Sequence, residues 1–242
     1  ALLANKGYYV AGVDVNEEVI STINNGDIHI VEAGLGAFVK SAISTGQLKA
    51  FNKIQLSDVY MICVPTPFHK NGNIPQPNID HVLSATESIA PFIKPGDLII
   101  LESTSPVGTT EKIQQTLFDC GANLKEIHIA YCPERVLPGK IMTEIVENDR
   151  IVGGLTSIST KKVVDFYRLF VNGNILEADA KTAEMCKLAE NSFRDLNIAF
   201  ANELSMICDK QGINVWNLIR LANKHPRVNI LQPGTGVGGH CI

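Results

Sequence analysis

A chain of 242 residues, 45% hydrophobic and 19% charged, is long enough to bury a substantial core in one large domain or two smaller ones. A formal net charge of −4 without a basic cluster argues against a nucleic-acid surface and points to a small-molecule partner. No apolar run approaches the roughly 18 residues of a membrane span and no signal-like segment opens the chain, so the expectation is a cytoplasmic protein that makes no use of a membrane.

Six cysteines, at 63, 120, 132, 186, 208 and 241, form no CxxC pair. That spacing speaks against a zinc cage or a disulfide scaffold, and no metal is expected. Cys63, Cys186 and Cys208 sit in apolar contexts and read as small core fillers.

The first residues read as a helix already under way, ended by Gly7 and followed by a strand over 8–13 that closes on Asp14. Strand, acid and a new helix from about Asn16 make the second step of a dinucleotide-binding unit, in which the acid takes ribose hydroxyls roughly 20 residues after a glycine fingerprint. Counting back from Asp14 runs off the front of the chain, so the expectation is that the first strand and its glycine turn are missing. Asp14 is equally able to cap the helix behind it.

Apolar strands follow at 59–67 (VYMICVPTP), 97–110 (DLIILESTSPVGTT) and 127–139 (IHIAYCPERVLPG), with helical stretches at 78–93 and 109–121 between them. This alternation specifies a parallel sheet with crossover helices, whose ligands bind at the carboxyl ends of the strands. Thr66, Thr104 and Glu134 fall there. Each threonine hydroxyl suits a phosphate, a ribose or an amide, and suits equally a bond that holds its own turn.

RIVGGL (150–155) reads as the last strand, with a helix over about 159–172 after it. From Ala180 towards Gly212 the chain carries apolar residues at helical spacing with no Pro or Gly, a helix long enough to connect domains or meet a partner subunit. Lys187, Asn191 and Arg194 recur along one face of it, a stripe suited to an anion or a developing oxyanion as well as to solvent; Glu184, Glu190 and Glu203 lie mostly off that stripe. A short helix over 214–224 leads into HPRVNILQPGTGVGGHCI, where His225, Arg227 and Asn229 supply polar groups and the glycines admit close backbone approach.

VPTP, STSPVGTTEK, YCPERVLPG, TAEMCKLAENSFRDLNIAFANELS and HPRVNILQPGTGVGGHC together resemble the UDP-glucose/GDP-mannose dehydrogenase family, over the whole chain and in the family's order. The PERVLPG form resembles its N-acetylhexosamine branch. The resemblance implies an α/β fold: a Rossmann-like parallel-sheet NAD domain over 1–156, then a helical, dimerising domain over 157–242 that ends in a catalytic cysteine loop. The length of the helix from Ala180 points to a homodimer through it. The resemblance further implies oxidation of a UDP-sugar alcohol, UDP-N-acetylmannosamine foremost, to the uronate for surface polysaccharide precursors, with two hydrides passing to NAD. UDP-GlcNAc or UDP-glucose, a two-electron β-hydroxyacid dehydrogenase chemistry, and a mere dimerisation module are the alternatives.

Matched residue by residue, Cys241 resembles the nucleophile that forms a thiohemiacetal and then a thioester. Lys187 and Asn191 resemble the pair that steadies oxyanions, and Glu134 the acid that orients or activates water. Arg135, Val136, Lys187, Asn191, Arg194, His225, Arg227 and Gly238 resemble the sugar-nucleotide contacts, and Asp14, Thr66 and Thr104 the NAD contacts. The family's glycine fingerprint, an aspartate just after the cysteine and a C-terminal domain are not found, so a fragment, itself inactive, is the expectation.

Overall fold

The computed structural model describes residues 1–69 and 75–235. A one-turn helix α1 (Leu2–Asn5) stops before Gly7, which takes φ +92, a conformation L side chains resist. There follow β1 (Val10–Val13), α2 (Glu17–Asn24), α3 (Leu35–Ser44) and β2 (Leu48–Phe51), with β1 and β2 paired in parallel.

Next come β3 (Val59–Ile62), the short antiparallel pair β4 (Phe68–His69) and β5 (Gln76–Pro77), and α4 (Asp80–Ile89), which tightens into a 3-10 turn. The alternation continues through β6 (Leu98–Leu101), α5 (Thr109–Asp119), β7 (His128–Tyr131), α6 (Ile141–Glu147), β8 (Arg150–Gly154), α7 (Ser157–Tyr167) and β9 (Ile175–Asp179). The last helices are α8 (Ala180–Gln211) and α9 (Val215–Ala222).

The larger sheet has the order β3-β6-β7-β8-β9. β3, β6 and β7 are parallel, as their apolar runs and intervening helices require. β6, buried at all four positions, sends Ile99 and Leu101 to one face, with Val82, Ile113 and Leu117 of the flanking helices. It sends Leu98 and Ile100 to the other, where Val163, Val164 and Tyr167 of α7 cover them.

Two features depart from the expected topology. β8 is not the last strand, since β9 pairs with it in parallel, and β8 runs antiparallel to β7. The glycine pair of RIVGGL explains the close fit: a Cβ on Gly153 would lie 2.3 Å from the Asp179 carbonyl oxygen, and one on Gly154 would lie 2.4 Å from the Thr160 amide nitrogen.

The chain forms two compact units, Ala1–Glu184 and Met185–Ile242. The first takes in α7 and β9 and ends in the opening turn of α8. Asp179, the last residue of β9, caps that turn by accepting the Thr182 amide at 2.9 Å and the Thr182 hydroxyl at 2.6 Å. The second unit has its own small core of Ala201, Cys208, Val215 and Ile219.

Glu184 is fully buried, contrary to the solvated face expected for the acids of this helix. Its carboxylate accepts the Gly108 amide at 2.6 Å, the Thr110 amide at 2.8 Å and the Thr110 hydroxyl at 2.6 Å. These donors form the N-terminus of α5, where Gly108 has no side chain to cap with. Three charge-assisted bonds offset the desolvation of the carboxylate. Glu184→Ala is therefore expected to cost on the order of 3 kcal/mol and Glu184→Gln clearly less, read from urea midpoints; equal losses would contradict the capping role.

Candidate active site

The three parallel strands deliver three loops to one sheet edge: 63–67 after β3, 102–108 after β6 and 132–139 after β7. The first two are tied together. Thr66 Oγ1 donates to the Thr104 carbonyl at 2.5 Å, and Ser103 Oγ donates to the Val64 carbonyl at 2.6 Å. The Thr66 hydroxyl thus holds not its own turn but the neighbouring loop, and brings two of the residues matched to NAD side by side.

Between the second and third loops lies a polar network. The half-buried Glu102 accepts the hydroxyl of fully buried Tyr167 on Oε1 and the Cys63 thiol, at 3.3 Å, on Oε2. Arg150, 3% exposed, sits with Nη1 4.0 Å from Glu102 Oε1 and Nη2 3.5 Å from Glu134 Oε2. Its guanidinium also lies 5.1 Å from the centre of the Tyr167 ring.

Burial, reinforced by the charge on Glu134, raises the Glu102 carboxyl above its ordinary pKa against the opposing help of Tyr167 and Arg150. Burial pushes the neighbouring Cys132 thiol up to about 12, which leaves it a poor nucleophile. Tyr167 is raised well above its ordinary value, again chiefly by burial, and stays a hydroxyl donor.

The loop carrying Glu134, Arg135 and Val136 is anchored from several sides. Glu134 Oε1 accepts the Arg135 amide at 2.6 Å, Arg135 Nη1 donates to the Asp149 carbonyl at 3.0 Å, and Asn148 Nδ2 donates to the Arg135 carbonyl at 3.0 Å. Val136 is half-buried. From the β1–β2 side, buried Glu32 accepts the amides of Gly139 at 2.8 Å and Ile141 at 3.0 Å.

Asp14 follows the last residue of β1, exposed, with Oδ1 accepting the Asn16 amide at 2.8 Å. The cap of α2 is Asn16, which accepts the Glu18 amide, so helix capping does not account for Asp14. An exposed carboxylate just past a strand's carboxyl end has the chemistry to accept from ribose hydroxyls, and the two threonine loops carry further polar groups. A cleft of about 260 Å³ is lined by Leu2, Val10, Met61, Glu102, Ile145 and Arg150 among others, so the polar network forms part of its wall.

In the second unit, Lys187 and Asn191 lie one turn apart and half-buried on α8, with Arg194 exposed further along. His225 and Arg227 are exposed beyond α9, where His225 Nδ1 accepts the Arg227 amide at 3.3 Å. Gly238 and Cys241 lie outside the described residues. Of the expected core fillers, Cys208 is buried, Cys186 is partly buried and Cys63 is exposed and bonded to Glu102.

Sequence reasoning missed Glu32, Glu102, Arg150 and Tyr167. The available signal was charge or hydroxyl inside apolar patterns, Glu102 directly after DLIIL and Arg150 directly before IVGG. Among the described residues no group of three or more His, Cys, Asp or Glu is arranged for a metal ion, and no helix is long and apolar enough to cross a membrane.

A mostly parallel α/β sheet with flanking helices and polar loops at its carboxyl edge is the arrangement of Rossmann-like dehydrogenases. Residues 1–171 match the NAD binding domain of the UDP-glucose/GDP-mannose dehydrogenase family and residues 181–242 match its central domain, and the chain belongs to that family. It is 54% identical to a UDP-N-acetyl-D-mannosamine dehydrogenase of Yersinia pestis, over all of this chain and 59% of that protein. It is 52% identical to an NDP-N-acetyl-D-galactosaminuronic acid dehydrogenase of Ralstonia nicotianae, over all of this chain and 58% of that one. A solved UDP-D-ManNAc dehydrogenase from Pyrococcus horikoshii superposes with a TM-score of 0.92 at 42% identity, covering 99% of this chain and 58% of that structure. The chain thus spans a little under three-fifths of the curated relatives it matches.

The raised pKa of Glu102 has a consequence for stability. The folded protein binds this proton more tightly than the unfolded chain, so the contribution is full at pH below the unfolded pKa and is lost as pH rises through the raised folded pKa. Glu102→Gln, which cannot titrate, should show a smaller loss of stability than wild type as pH rises above the ordinary glutamate range, by urea unfolding at a series of pH values; parallel pH profiles would contradict this.

Proposed function

We propose that this chain contributes the cofactor-binding and central parts of an NAD-dependent nucleotide-sugar 6-dehydrogenase, divided near residue 156, that converts UDP-N-acetyl-D-mannosamine to the uronate. The observation that carries the reading is the gathering of Thr66, Thr104 and Glu134 at the carboxyl ends of three adjacent parallel strands. Family membership supports the reaction class, and the names of relatives from Yersinia pestis and Pyrococcus horikoshii support the sugar. The Ralstonia nicotianae relative carries a different N-acetylhexosamine in its name at similar identity, so the N-acetyl group is the shared element. Cytoplasmic synthesis of surface polysaccharide precursors is the proposed setting.

Bound NAD would accept a hydride in each of two successive oxidations. Asp14 is assigned to its ribose, and the Thr66 and Thr104 loops to the rest of the cofactor. Cys241 is assigned as the thiolate that adds to the aldehyde, giving a thiohemiacetal whose oxidation leaves a thioester. Lys187 and Asn191 donate to the oxygen that bears charge during these steps. Glu134 takes a proton from the water that attacks the thioester, as the new C–O bond forms and the C–S bond breaks to return the thiolate. Arg135, Val136, Arg194, His225, Arg227 and Gly238 hold the sugar nucleotide, the arginines gripping diphosphate oxygens through their planar forks.

With full-length enzyme, two NADH should form per UDP-N-acetylmannosamine consumed, with UDP-GlcNAc and UDP-glucose turned over more slowly. Cys241→Ser should abolish uronate formation. One NADH per substrate, or unchanged acid production in the variant, would overturn the four-electron reading.

We further propose that the protein is a homodimer through α8, on which Phe193, Leu196 and Phe200 lie at helical spacing, 60%, 70% and 52% exposed. Leu196→Asp is expected to shift the mass seen by light scattering from dimer to monomer. A dimer unchanged in mass would remove this helix face from the interface.

A further inference from the structure

We propose that Arg150 is the positioning residue of Glu134, setting the direction of its carboxylate from a buried anchor made of Glu102 and Tyr167. This rests on the reading of Glu134 as the group that activates water.

Topology is the first support. β8 reverses direction against β7 in the register Ala130↔Gly154 and Tyr131↔Gly153. Continuing that register three residues further sets Glu134 opposite Arg150, which would fall at the far edge of the sheet if β8 ran parallel. The reversal delivers a cation to the carboxyl end of β7.

Contact geometry is the second. Arg150 Nη1 and Nη2 both lie 3.5 Å from Glu134 Oε2, while Glu134 Oε1 takes the Arg135 amide at 2.6 Å. With each carboxylate oxygen held by a different element, the plane of the group is defined. The guanidinium is held in turn by the Ile145 carbonyl at 3.2 Å, by Glu102 and by the Tyr167 ring, while the Tyr167 hydroxyl fixes Glu102. Only a planar fork reaches both carboxylates and stacks on a ring at once, so lysine does not replace it.

The gradient of burial is the third. Tyr167 is fully buried and the Arg150 side chain 4% exposed, whereas the Glu134 side chain is 36% exposed. Along the chain of contacts from Tyr167 through Arg150 to Glu134, exposure rises toward the Glu134 carboxylate. An ion pair serving stability alone has no need of a second buried carboxylate beyond the cation.

The test uses full-length enzyme with Arg150→Lys, Arg150→Gln, Tyr167→Phe and Glu134→Gln, reading kcat, KM for the UDP-sugar and the pH profile of kcat. Arg150→Lys should lower kcat on the order of 10–100-fold with KM changed by less than about threefold, because the defect is orientation rather than binding. Arg150→Gln should in addition move the acid limb of kcat to higher pH, since loss of the cation favours protonation of the carboxylates it faced, and Arg150→Lys should bring that limb back. Tyr167→Phe, which keeps the guanidinium and the ring, should lower kcat on the order of threefold or more and serves as the test if the Arg150 variants do not fold. Unchanged kcat and an unmoved acid limb in the folded variants would overturn the positioning role. Full kcat in Glu134→Gln would instead overturn the water-activation reading beneath it.

Discussion

The loop geometry of the sheet edge depends on one buried carboxylate. Glu184 satisfies the N-terminus of α5, and α5 begins where the loop after β6 ends, so the segment from Glu102 to Gly108 is fixed at both ends, by its strand and by this cap. Ser103 and Thr104 then bind the neighbouring loop through Val64 and Thr66. A helix terminus left with unpaired buried donors would have to move toward water, and the two loops would move with it.

The same edge uses charge sparingly. One guanidinium faces two carboxylates, and the surplus acid is relieved by a buried phenol and a thiol that donate to Glu102. Burial of such a set is costly unless every lone pair is met, which makes the arrangement specific in direction as much as stabilising. Cys132 lies within the same environment, and burial pushes its thiol up to about 12, which makes it a poor nucleophile.

Much of this was legible from residues. Apolar runs at 59–62, 98–101 and 128–131 marked the three parallel strands, the absence of Pro and Gly marked α8, and turn residues marked the loops with Thr66, Thr104 and Glu134. β9 was not legible, because its five residues, ILEAD, carry neither an apolar run nor strict alternation. The direction of β8 was hidden for a different reason: a strand buried on both faces reads the same forwards and backwards. Arg150 meets Glu134 across 16 residues and Tyr167 meets Glu102 across 65, beyond the reach of any local pattern. The Glu184 side chain looked like one more acid on a solvated helix, since its partners lie 74 and 76 residues away.

Asp179 is at once the end of a strand and the cap of α8. Starting an isolated helix is unfavourable by a factor on the order of a thousand, because several residues must be ordered for the first bond. Here Asp179 is held by the β8–β9 ladder and accepts both donors of Thr182, so part of the cost of the first turn of the 32-residue α8 is met by the sheet that precedes it in the chain.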